Sequence, residues 1–190
     1  MPNVIEKFLT RALDLNAFFF KDDAWQFTPR PFTTIGDQAL VGRALLEATG
    51  DFFSRPENCD VVVYGGRGLS SVMASQLAQA MAHHRSMGAC RICLDYGDSI
   101  NQFYGEPIKA GDRVFLVDDP TTPNVDAEQE LLHVRLRKGV PVGIVTICTD
   151  VKEIGEIPVY TITGPLKVAT RMRALNAARM VQEQHFVQHA

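Results

Sequence analysis

The sequence predicts an α/β fold in which a parallel sheet is flanked by helices on both faces. Apolar runs at 61–64, 89–94, 114–117, 142–148 and 159–162 are continuous rather than alternating, as strands buried on both sides are. Amphipathic segments of helical period separate most of them, which is the βαβ pattern of a parallel sheet. Two of the runs end in loops rich in glycine or aspartate, at the edge where such a sheet gathers ligands.

The elements follow in order. Val4, Ile5, Phe8, Leu9, Ala12, Leu13 and Leu15 recur at helical spacing and predict an amphipathic helix over 4–15. Residues 17–35 are aromatic, with Phe18, Phe19, Phe20, Trp25, Phe27 and Phe32, and are broken by Asp22-Asp23 and by Pro29 and Pro31. They read as a short hairpin and loop. A second helix over 37–53 turns Ala39, Leu40, Ala44, Leu45, Ala48 and Phe52 inward. Further helices are expected at 69–84, 126–138 and 166–184. No repeat, low-complexity tract or linker divides the chain, so residues 1–36 form an appendage on a core of 37–190 within one domain.

At 190 residues the chain can bury a sizeable core without staples. Its 46% hydrophobic and 22% charged content is ordinary for a globular domain. A net charge of −3 gives no broad positive field for nucleic acid or anionic lipid, so phosphate recognition has to be local. No basic segment followed by an apolar stretch opens the chain and no run of about eighteen apolar residues occurs, so a cytoplasmic location away from membranes is expected. Cys59, Cys90, Cys93 and Cys148 fall at or inside expected strands, where cysteine acts as a small apolar residue. The Cys90/Cys93 spacing has neither a second pair nor a histidine to complete a metal site, and a redox pair should open a helix.

Two strand ends carry candidate chemistry. In Gly65-Gly66-Arg67-Gly68 the glycines let backbone N–H groups approach an anion and Arg67 adds a fork of donors ahead of a helix N-terminus. A tight strand-to-helix turn would use the same glycines. In Asp118-Asp119-Pro120-Thr121-Thr122-Pro123-Asn124, paired carboxylates could hold ribose hydroxyls or a hydrated magnesium ion, with threonine hydroxyls beside them. An ordinary turn with an N-cap uses the same residue types, and both readings stand. His83 and His84 suit a helix C-terminus, and Arg171, Arg173 and Arg179 read as an exposed helical face.

Taken together, the apolar strand with Asp118, Asp119, Thr121 and Thr122 resembles the ribose-phosphate motif of type I phosphoribosyltransferases. The Gly65-Gly66-Arg67-Gly68 loop resembles their pyrophosphate loop, and it comes in the same order. The first helix, the hairpin and Gly36-Asp37-Gln38-Ala39-Leu40-Val41-Gly42-Arg43 are similar in order to orotate phosphoribosyltransferases, over roughly residues 4–170. The resemblance implies a central parallel sheet with a small N-terminal hood, and a homodimer with the apolar hairpin as available surface. It also implies a donor, phosphoribosyl pyrophosphate bound with Mg²⁺, and a pyrimidine-like base as acceptor. Asp118 and Asp119 would then hold ribose hydroxyls, Thr121, Thr122 and Asn124 the 5′-phosphate, and Gly65, Gly66, Arg67 and Gly68 the pyrophosphate.

The chain departs from the family in two loops, and in the segment around Thr28-Pro29-Arg30-Pro31, which is shorter than the family's orotate-binding segment. Pro123 removes a backbone donor from the phosphate loop, and Asp126 stands near a hydroxyl position of the family. Where the family's catalytic loop carries lysines and a histidine, this chain runs from Cys93 through Asp95, Asp98 and Phe103 to Gly105 without either. Cations aimed at a departing polyanion commonly contribute several kcal/mol to the transition state. The alternative expectation is therefore a catalytically impaired member that senses nucleotides or binds a partner.

Overall fold

The computed structural model describes residues 3–21, 24–28, 30–65, 73, 75–77, 79–80, 91–95, 103–105, 107–118 and 125–188. Helix α1 spans Val4–Asp14, and Asn3 caps it by accepting the Glu6 N–H at 2.8 Å. Strands β1 (Phe18–Lys21) and β2 (Ala24–Phe27) pair antiparallel as the expected hairpin. Helix α2 covers Ile35–Ala48, with the Thr34 hydroxyl accepting the Asp37 N–H.

This second helix ends earlier than its periodicity suggests. Thr49 returns its N–H and its hydroxyl to the last turn, and Gly50 takes the left-handed conformation at φ 54°. Phe52 therefore lies in a 3-10 turn rather than on the helix, where it still packs on Phe115 at 5.0 Å. Of the expected inward residues Ala44 and Leu45 are buried and Leu40 and Ala48 pack against the core, Val41 joins them, and Ala39 alone is exposed.

The main sheet contains β3 (Val61–Gly65), β4 (Arg91–Asp95), β5 (Phe103–Gly105), β6 (Arg113–Val117), β7 (Val140–Cys148), β8 (Glu153–Ile154) and β9 (Ile157–Thr163). Its order is β5-β4-β3-β6-β7-β9-β8. The five inner strands, β4, β3, β6, β7 and β9, are parallel. Both edges are antiparallel, which the continuous apolar runs did not foretell because β5 and β8 are too short to make one. Helix α3 (Val125–Leu136) joins β6 to β7, and helix α4 (Pro165–Gln188) closes the chain. Met73, Ser75–Leu77, Gln79 and Ala80 are helical, and the rest of the expected helix over 69–84, His83 and His84 included, lies outside the described residues.

Along β3, β6 and β7 successive side chains alternate between two layers. Val62, Phe115, Val117, Val145 and Ile147 face one layer, which holds Phe8 and Leu9 of α1, Val41 and Leu45 of α2, Met73, Leu77 and Val168. Val61, Val63, Val114, Leu116 and Ile144 face the other, against Ala127, Leu131 and Val134 of α3. The N-terminal helix and hairpin share the first layer through Phe8, Phe18, Phe27 and Phe32, whose rings lie 5.3 to 5.8 Å apart. Arg171 is not a free surface cation: its guanidinium and Lys167 both bind the Glu6 carboxylate, tying α4 to α1.

Candidate active site at the switch point of the sheet

Among the parallel strands β3 comes first in the chain, yet it lies between β4 and β6. The connection from β3 to β4 crosses the layer that contains Met73 and Leu77. The connection from β6 to β7 crosses the opposite layer through α3. Right-handed crossovers that run in opposite directions have to use opposite faces, so the loops leaving β3 and β6 part from one another and open a crevice between them.

Both loops singled out in the sequence begin at that crevice. Tyr64 pairs with Val117, so Gly65 and Asp118 follow as neighbours at the carboxyl ends of β3 and β6. The Asp118 N–H continues the ladder onto the Val145 carbonyl at 2.9 Å, and the residue is only 3% exposed. The structure thus brings Gly65 and Asp118 together. Gly66, Arg67, Gly68, Asp119, Thr121, Thr122 and Asn124 lie outside the described residues, as does the Pro123 departure. Residues 119–124 join β6 to the N-terminus of α3, which Ala127, Leu131 and Val134 hold against the sheet.

Neighbouring strand ends add further polar groups. Asp95 stands in register with Gly65 on the other side of β3, and Phe103 of β5 stands in register with Asp95. The two ends of the segment without lysine or histidine, Cys93–Asp95 and Phe103–Gly105, thus pair antiparallel at the sheet edge, and residues 96–102 lie outside the described residues. Sequence reasoning treated the segment as a loop and could not place Asp95, because register depends on pairing rather than on local pattern. Thr149 and Thr163 are buried at the ends of β7 and β9, where the Thr149 N–H donates to the Thr163 carbonyl. Burial, with the charge of Asp150 as a smaller cause, pushes the Cys148 thiol up to about 12. That thiol stays protonated at neutral pH, which removes it from nucleophilic chemistry.

A cavity of about 730 Å³ opens elsewhere, against α2 and the 3-10 turn that follows it, where Arg43, Glu47, Phe53 and Gln76 contribute to its wall. Among the described residues no strand residue lines it, and the crevice at the strand ends remains the candidate site on chemical grounds.

No protein-family model and no curated protein sequence matches the chain. Solved structures do match. The orotate phosphoribosyltransferase of Mycobacterium tuberculosis in complex with inorganic phosphate superposes with a TM-score of 0.65 at 18% identity, over 89% of this chain and 92% of that one. The same enzyme in complex with 5-phospho-alpha-D-ribosyl 1-diphosphate gives 0.62 at 17%, over 88% and 93%. The orotate phosphoribosyltransferase of Aeropyrum pernix gives 0.64 at 14%, over 87% and 98%. With the order of the parallel strands and the crevice between β3 and β6, these likenesses establish that the chain has the type I phosphoribosyltransferase fold.

Proposed function

We propose that the chain binds phosphoribosyl pyrophosphate with Mg²⁺ and transfers its ribose 5-phosphate to a ring nitrogen of a pyrimidine-like base. The observation that carries this reading is the adjacency of Gly65 and Asp118 at the switch point, which starts an anion loop and a carboxylate loop side by side. The solved structure of a similarly folded enzyme with the same donor supports it.

Asp118 and Asp119 hold the ribose hydroxyls as acceptors. Thr121, Thr122 and Asn124 receive the 5′-phosphate ahead of the α3 N-terminus, and Gly65 to Gly68 with Arg67 receive the pyrophosphate. The carbon–oxygen bond to pyrophosphate breaks, a carbon–nitrogen bond to the base forms, and the base loses its ring proton. Positive charge develops on the ribose on the way, so positioning and fixed negative charge do most of the work, and Asp118 stands in the place to supply that charge. The oxygen-only donor set at Asp118 suits a hard cation, and Mg²⁺ when bound offsets the charge of the departing pyrophosphate. The reading includes a homodimer acting in the cytoplasm.

The test is release of pyrophosphate from the donor in the presence of Mg²⁺ across a panel of free bases. Base-dependent release supports transfer. Donor binding without release by any base supports the second reading, a nucleotide-sensing or partner-binding module. The specific observation in favour of that reading is the absence of lysine and histidine between Cys93 and Gly105.

A further inference from the structure

The cavity against α2 sits beside a close crossing of two helical segments. At Gly42 an added methyl group would meet the Gln76 carbonyl at 2.1 Å, so the backbones touch there, and the Gln76 amide donates to the Gln38 side chain at 3.3 Å. Ala39, Arg43, Leu46 and Glu47 recur at helical spacing along one side of α2 and form a wall. Phe53, fixed against Phe115 at 4.7 Å, lines the cavity from the 3-10 turn. Its volume of about 730 Å³ is that of a small-molecule site. The charges in the wall are separated and unneutralised. Arg43 donates through Nε to the Ala39 carbonyl one turn back, which leaves the Nη groups of its fork without a partner among the described residues. Glu47, one turn on, accepts the Val4 N–H at 3.2 Å instead of pairing with Arg43. The Asp51 carboxylate, also in the wall, has no partner among the described residues. Arg43 and Asp51 stand on the order of 10 Å apart along the axis of α2 and its cap.

We propose that this cavity binds a nucleoside monophosphate whose base carries an exocyclic amino group, with the phosphate on Arg43 and the amino group donating to Asp51. A free guanidinium fork matches phosphate oxygens two at a time, so the occupant is anionic at one end. A carboxylate only accepts, so the occupant offers N–H at the other end. Leu46 and Phe53 give the wall apolar surface for the ring and ribose between them. An α-amino acid carries both charges on neighbouring atoms and cannot reach both residues, whereas a nucleotide holds its phosphate and its base edge apart by the ribose. A base with a carbonyl in place of the amino group sets acceptor against acceptor, so the cavity discriminates between the two. The proposal is independent of what the crevice between β3 and β6 binds.

The experiment is calorimetric titration of the full chain with cytidine 5′-monophosphate, uridine 5′-monophosphate and cytidine. The proteins are wild type, Arg43→Gln, Asp51→Asn and Asp118→Asn. Wild type should prefer cytidine 5′-monophosphate to each of the other two by about tenfold, the scale of one charge-assisted hydrogen bond. Arg43→Gln should bring the cytidine nucleotide down to the affinity of cytidine. Asp51→Asn should erase the preference over the uridine nucleotide and keep the preference over cytidine. Both residues are exposed, so thermal midpoints should stay unchanged and report an intact fold. A loss in Asp118→Asn as large as that in Arg43→Gln would put the nucleotide in the crevice and overturn the proposal. Equal affinity of wild type for the two nucleotides, or no binding of either at millimolar concentration, would overturn it as well.

Discussion

Asp118 carries a carboxylate at a strand end and is only 3% exposed. Its burial sets it apart from a turn aspartate that projects into water, and its role as a ligand is the proposal made above. The identity and neighbourhood of this residue were legible, since an apolar run ending in paired acids is a local pattern. That its loop and the glycine loop open onto one crevice was expected from the order of the runs, and the β3–β6 register supplies the residue-level pairing that no local pattern gives. Gly143 shows the same limit. A methyl group there would meet the Phe115 ring at 2.4 Å, an approach on β7 that no local pattern announces. Gly143→Ala should destabilise the fold by about 1–3 kcal/mol in urea denaturation, because the ring has nowhere to move within a packed aromatic cluster. An unchanged midpoint would mean that Phe115 repacks freely.

Helix α1 is tied to the core by ion pairs at both of its ends. The Arg11 guanidinium meets the Asp37 carboxylate twice, at 2.8 and 3.0 Å, and Glu6 near the start of the helix receives Lys167 and Arg171. The Arg11 hydrogen bond, helped by Thr34, holds the Asp37 carboxyl below its usual range. Lysine and arginine bonds lower Glu6 likewise, Arg171 being the larger cause. A depressed carboxyl pKa adds stability that is fully present above the unfolded value and is lost as pH falls through the folded one. Asp37→Asn should therefore lower Tm at pH 7, and the gap from wild type should close as the pH drops from about 5 toward 2. A gap that persists at the acid end would assign the effect to packing. The helices themselves were legible from period. The end of α2 was not, because Gly50 and the Thr49 cap outweigh the apolar spacing that runs on to Phe52.

At the scale of the molecule, alternating crossovers place the starts of both candidate loops, Gly65 and Asp118, at one edge of the sheet, and that edge was foreseeable from the order of runs and loops. The antiparallel edges β5 and β8 were not, since they are 3 and 2 residues long. The hairpin keeps apolar surface at its tip: Phe20 is 60% exposed and Phe19 37%, with Trp25 against Phe20 at 5.6 Å, while Phe18 turns out to be a core residue. A homodimer that covers this tip should appear in light scattering at twice the chain mass, and Phe20→Glu should shift it toward monomer. A wild-type monomer at micromolar concentration would contradict that surface's role. The central claim concerns the crevice between β3 and β6, and calorimetric titration of phosphoribosyl pyrophosphate with excess Mg²⁺ addresses it most directly. Saturable binding is expected that weakens about tenfold or more in Asp118→Asn, as befits loss of a charged acceptor. Absence of binding at millimolar donor, or equal binding by the two proteins, would contradict the account.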